Sequence, residues 1–103
     1  MSTPMDVRGD WDLTQSNGFT VHMQIDGEDP DGTFNGRGNI DGKAGFIDLA
    51  DTRATDHEIT FQMGAGRYTG QFDFQGRLTG TTVDTSHPTS QATWQANKLF
   101  GSI

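Results

Sequence analysis

Turn signals cut this chain roughly every 8–12 residues, and the segments between them alternate apolar with polar side chains rather than following a helical period. Eight such segments fit along the sequence, at about 6–14, 18–26, 33–41, 44–51, 57–64, 67–75, 77–84 and 91–100. Eight sequential antiparallel strands are the number that closes an up-and-down barrel, whose interior is either filled by side chains or left open for one small ligand. The expectation is an all-β chain forming a single eight-stranded antiparallel barrel domain over residues 1–103.

The alternation assigns faces. Val7, Gly9, Trp11 and Leu13 share one side of strand 1, and Asn17-Gly18 supplies a strong hairpin signal. Strand 2 places Phe19, Val21, Met23 and Ile25 inward, with Thr20, His22, Gln24 and Asp26 outward. In strand 3, Gly36 and Gly38 between Phe34 and Ile40 predict a bend or a bulky neighbour over the backbone. Asp41-Gly42-Lys43 reads as a hairpin turn, strand 4 can face either way, and 51–56 reads as a polar loop. Ile59, Phe61 and Met63 point inward, as do Tyr68, Gly70, Phe72 and Phe74; Thr60, Thr69 and Gln71 point out. Gln75-Gly76 turns the chain into strand 7, with Leu78, Gly80 and Thr82 inward. A long connection over 84–90 leads to strand 8, with Ala92, Trp94 and Ala96 inward, followed by Leu99 and Phe100. Trp11 is expected to plug the end where the chain enters.

Only 31% of the residues are hydrophobic, yet seven Phe, two Trp and one Tyr can fill a thin core. The net charge of −7 and the scattered basic residues exclude nucleic acid and anionic membrane surfaces as expected partners. The absence of cysteine removes thiol chemistry and zinc-thiolate sites. No leader is expected before Val7, and no run is long enough for a membrane helix. The acidic loop with Asp26, Glu28, Asp29 and Asp31 lacks the spacing of a calcium loop. His22, His57 and His87 lie on separate segments, and no cofactor motif occurs.

Three short motifs occur in a telling order. Gly9-Asp10-Trp11 is similar to the Gly-x-Trp of a first barrel strand. Tyr68-Thr69-Gly70-Gln71-Phe72 is similar to an aromatic-Ser-Gly-Gln-aromatic run, and Ala92-Thr93-Trp94-Gln95 to a small-residue-then-Trp opening. The chain thus resembles the avidin/streptavidin-like barrels of the lipocalin (calycin) type. The resemblance implies a ligand-binding barrel that can form homo-oligomers. It does not bring the biotin-holding residues. Leu13 stands where that family has Asn, and Asn17 lies near the turn hydroxyl. Gly38 lies near the strand 3 Tyr, and Ser102 near the strand 8 Asp.

Alternate hairpins open at the same end. With Trp11 at the bottom, the mouth consists of the 1–2, 3–4, 5–6 and 7–8 connections, carrying Ser16, Asn17, Asp41, Lys43, Gly66, Arg67, Asp84, Ser86 and His87. Tyr68 and Trp94 begin strands just after mouth-side turns, and each joins an aromatic body to a polar handle. Asn17, Tyr68, Asp84, His87 and Trp94 are therefore the candidate ligand-binding residues. The expected function is noncatalytic binding of a small molecule. One alternative is a cyclase-type enzyme, which works by enclosing a flexible substrate and so requires an empty apolar lumen. Another is an interaction module, a protease inhibitor or lectin, acting through loops over a solid core.

Overall fold

The computed structural model describes residues 3–41, 43 and 45–102. Gly42 of the predicted strand 3–4 turn and Ala44, the predicted start of strand 4, lie outside the described residues. Eight strands follow in sequence: β1 (Gly9–Gln15), β2 (Thr20–Glu28), β3 (Phe34–Ile40), β4 (Ile47–Ala54), β5 (Glu58–Met63), β6 (Gly66–Phe72), β7 (Arg77–Asp84) and β8 (His87–Leu99). Each pairs antiparallel with the next, and β8 returns to β1 to close the barrel. No helix occurs among the described residues.

Period-2 patterning sets the register, because a one-residue slip would turn every apolar side chain to water. Val21, Met23 and Ile25 are buried while Thr20, His22 and Gln24 on the opposite face are half-buried. Ile59, Phe61 and Met63 are likewise buried on β5, with Thr60 half-buried. Gln71 is exposed between buried Gly70 and Phe72.

Two aromatic layers fill the interior. At one end Trp11 meets Phe100 edge-on, 5.1 Å between centroids, and Phe100 meets Phe72 at 5.5 Å. Trp11 Nε1 donates to the Val7 carbonyl at 3.0 Å, so this ring closes the end as its position in the sequence suggests. Towards the other end, Phe61 touches Phe34, Tyr68 and Trp94. Glycines make room for this packing: a Cβ at Gly38 would stand 2.5 Å from Met63 Sδ, and one at Gly70 would stand 2.6 Å from Trp94 Cη2.

Several expectations fail at strand ends. Phe74 is not core; it is 96% exposed. β6 stops at Phe72, and residues 73–76 form a turn in which Gly76 N–H donates to the Asp73 carbonyl and Gly76 takes φ +88°. That turn places Phe74 at its tip, where strand parity no longer applies. Phe19 is exposed because it lies in the β1–β2 turn, before the first paired residue of β2. Gly9 is exposed, with φ +109°, as the chain swings into β1. Leu99 is exposed and Phe100 buried, because the alternation of Ala92, Trp94 and Ala96 continues unbroken and places the two residues on opposite faces. β4 runs on through the predicted polar loop to Ala54, absorbing an irregularity between Ala50 and Arg53 at which Asp51 has φ +50°.

The predicted 84–90 loop is also mostly strand. Asp84 pairs with His87, so only Thr85 and Ser86 turn the chain. The Asp84 carboxylate holds this turn by accepting from the Ser86 backbone N–H at 2.9 Å and its hydroxyl at 2.6 Å.

Candidate functional site

The barrel is open opposite Trp11, where a cavity of about 300 Å³ is bounded by all four mouth-side connections. Its apolar walls come from Ile40, Ile47, Met63 and Ala92. Its polar groups are Gln15, Asn17, Tyr68, Thr82, Asp84, Ser90 and Gln91. The mixture follows from strand geometry. Inward positions at the last turn of a barrel lie above the packed core but below the loops, so they keep core parity while reaching water.

Gln15 organises the floor. It occupies the next inward position of β1 after Trp11 and Leu13, and is 9% exposed. The Tyr68 hydroxyl donates to Gln15 Oε1 at 2.7 Å, and Gln15 Nε2 donates to Asn17 Oδ1 at 3.1 Å. Asn17 Oδ1 also accepts the Phe19 backbone N–H at 3.3 Å. Burial pushes the Tyr68 phenol above its ordinary range, a shift opposed by the Thr82 hydroxyl beside it. Tyr68 is thus a neutral hydroxyl at the base of the mouth.

Of the predicted site residues, Asn17, Tyr68 and Asp84 line this cavity together. The Ser86 hydroxyl and backbone lower the Asp84 pKa, so the rim carries an anion. His87 stands apart. It is exposed, with Nδ1 3.7 Å from Asp84 Oδ2 and 3.3 Å from Ser86 Oγ, and it does not line the cavity. Trp94 sits beneath the mouth, not in it. Its ring is 6.3 Å from Tyr68, and its Nε1 is used by the Thr81 carbonyl at 3.0 Å, so its polar handle is spent within the wall. Ser16 is similarly committed, accepting the Thr93 backbone N–H at 3.0 Å. Gln15 escaped the sequence reading, although it lies two residues beyond inward Leu13; Thr82 is read there as inward but not as part of the site.

A larger concavity, about 660 Å³, lies on the outer wall over Gly70 and Gly80. It is bordered by outward-facing Thr and Gln side chains, and its floor is the strand ladder. Gln15 and Trp94, which belong to the barrel interior, line it as well. Elsewhere two carboxylates of the acidic segment accept backbone N–H groups: Glu28 Oε1 takes that of Val7, ahead of β1, and Asp31 Oδ1 that of Thr33, each at 2.9 Å. The three histidines remain far from one another in the fold, each beside its own aspartate: His22 with Asp12, His57 with Asp56, His87 with Asp84. Among the described residues, no group of three acidic or imidazole side chains converges in a way that could hold a metal ion.

Compared with protein-family models, with curated proteins and with solved structures, the chain matches none.

Proposed function

We propose that this barrel is a noncatalytic binder of one small molecule, held at the mouth, in the general manner of avidin-like and lipocalin-like barrels. The observation that carries this reading is the Tyr68–Gln15–Asn17 hydrogen-bonded series at the floor of an open cavity. A buried glutamine bridging a tyrosine to an exposed asparagine costs the core apolar packing, and an end cap needs no such group. Convergent polar groups on apolar walls are what a small-ligand pocket requires. The volume is at the low end for such pockets, which favours a compact ligand. The enclosing-enzyme alternative needs an empty lumen, whereas here Phe34, Phe61, Tyr68 and Trp94 occupy the space below the mouth.

The test is amide shift mapping by NMR with a library of small fragments. Shifts centred on Gln15, Asn17, Tyr68, Thr82 and Asp84 are the expected result. Shifts confined to the outer wall, at Thr69, Thr81 and Thr93, would overturn the reading.

A further inference from the structure

The direction of the hydrogen bonds at the mouth is fixed from outside it. The Phe19 backbone N–H can only donate, so the Asn17 atom it meets at 3.3 Å must be the carbonyl oxygen. That same oxygen then takes Gln15 Nε2, which turns Gln15 Oε1 towards Tyr68. The Tyr68 hydroxyl must therefore donate to Gln15, and its proton is unavailable to anything above it. What Tyr68 can still offer is a lone pair. At the other end of the series, the Asn17 carbonyl is doubly used, and its amide N–H groups are the donors left over.

We infer that the mouth is polarised, donor at Asn17 and acceptor at Tyr68, with the Asp84 carboxylate at the rim hydrogen-bonded to Ser86, and that it selects ligands bearing a hydrogen-bond donor and acceptor side by side, the carboxamides above all. The inference rests on the mouth being a binding site and adds the chemistry of its occupant. Acceptor-only ketones and esters would leave the lone pair of buried Tyr68 unmatched, which is what makes such sites selective, and amines would offer nothing to the Asn17 amide. Ile40, Ile47 and Met63 supply walls for an aromatic or alkyl body.

Three probes of similar size separate the possibilities: benzamide, acetophenone and benzylamine, titrated into the full chain while the side-chain amide resonances of Gln15 and Asn17 are followed. Benzamide is expected to bind at the mouth about tenfold more tightly than either of the others. The Asn17→Asp variant retains an oxygen for both Gln15 Nε2 and the Phe19 N–H, but replaces the free donor with a carboxylate. It should lose the benzamide preference and favour benzylamine. Asn17 is exposed, so folding is not at stake, and an unchanged melting temperature checks this. Acetophenone or benzylamine equalling benzamide at the mouth of the unaltered chain would overturn the polarity while leaving the mouth as a site. An unchanged benzamide preference in Asn17→Asp would do the same. Shifts from none of the three at the mouth would overturn the binding site itself.

Discussion

The Tyr68 ring lies parallel to Phe61, with 4.8 Å between centroids and 6° between planes, while its hydroxyl crosses to Gln15 on β1. One side chain thus joins the barrel core to the mouth. Its ring is held by packing and its oxygen by a directed hydrogen bond, so disturbing either partner should produce distinguishable effects.

Phe61 is fully buried, between Phe34 and the Tyr68 ring. Phe61→Ala should cost about 3–5 kcal/mol, from lost burial and from the cavity left behind. Chemical denaturation gives this directly, and a loss under about 1 kcal/mol would mean that the barrel collapses onto the gap.

Tyr68→Phe retains the stack and removes only the hydroxyl. Gln15 Oε1 then loses its donor in a buried setting, at about 1–3 kcal/mol. The same variant should blunt fragment binding at the mouth. Full stability in the variant would show that water or a reoriented Gln15 replaces the phenol.

The strand number, sequential order and inward parity of most strand centres were legible in the sequence, because period-2 burial constrains them on strands such as β2, β5 and β6, whereas β4 shows no such period. Val21, Met23, Ile59, Phe61 and Phe72 all lie where alternation puts them. Parity failed where pairing ends, at Phe19 and Phe74, which lie in turns. Hydrogen bonds between backbones, not side-chain pattern, decide those points. The mouth was half legible. Loop alternation placed Asn17, Tyr68 and Asp84 at one end, but whether a polar handle faces the cavity depends on its bonded partner, and Trp94 gives its N–H to the Thr81 carbonyl.

Two glycines of the wall test the packing of Trp94. In Gly70→Ala the new Cβ would stand 2.6 Å from Trp94 Cη2, so the indole must shift, at about 1–3 kcal/mol. Gly80→Ala should cost more, since its Cβ would run into the Thr69 carbonyl, and backbone cannot rotate away. Gly27→Ala meets nothing within 4 Å and should change stability by less than about 0.5 kcal/mol. Equal melting temperatures for all three variants would contradict the close approach of β6, β7 and the Trp94 ring.

Biotin should bind no more tightly than about micromolar, a free energy near −8 kcal/mol. Leu13, where an amide would hold the ureido oxygen, is fully buried in the core and offers no polar atom. Gly38, near the expected tyrosine, has no room for a side chain under Met63. A nanomolar constant by isothermal titration calorimetry would refute the residue-by-residue comparison.

The last expectation concerns acid. Glu28 has one oxygen on the Val7 N–H and a second, Oε2, buried with no hydrogen-bond partner. Burial pushes its pKa above the ordinary value of 4.5; Asp6 adds to the shift, while the Val7 N–H and Arg8 oppose it. The folded state therefore holds this proton more tightly than the unfolded chain, so the ionised group destabilises the fold at neutral pH. That penalty fades as pH falls through the raised pKa towards 4.5. Asp6 has the opposite sign in a lower window. Its hydrogen bonds with Arg8 hold its pKa at about 2, so its contribution is present above 3.8 and is lost only as pH falls towards 2. Glu28→Gln retains an acceptor for the Val7 N–H without the charge. It should melt higher than the unaltered chain at about pH 7, with the gap closing by about pH 4, before Asp6 titrates appreciably. A gap that stays constant between those two conditions would show that Glu28 is solvated in the folded state and that its second oxygen is not truly buried.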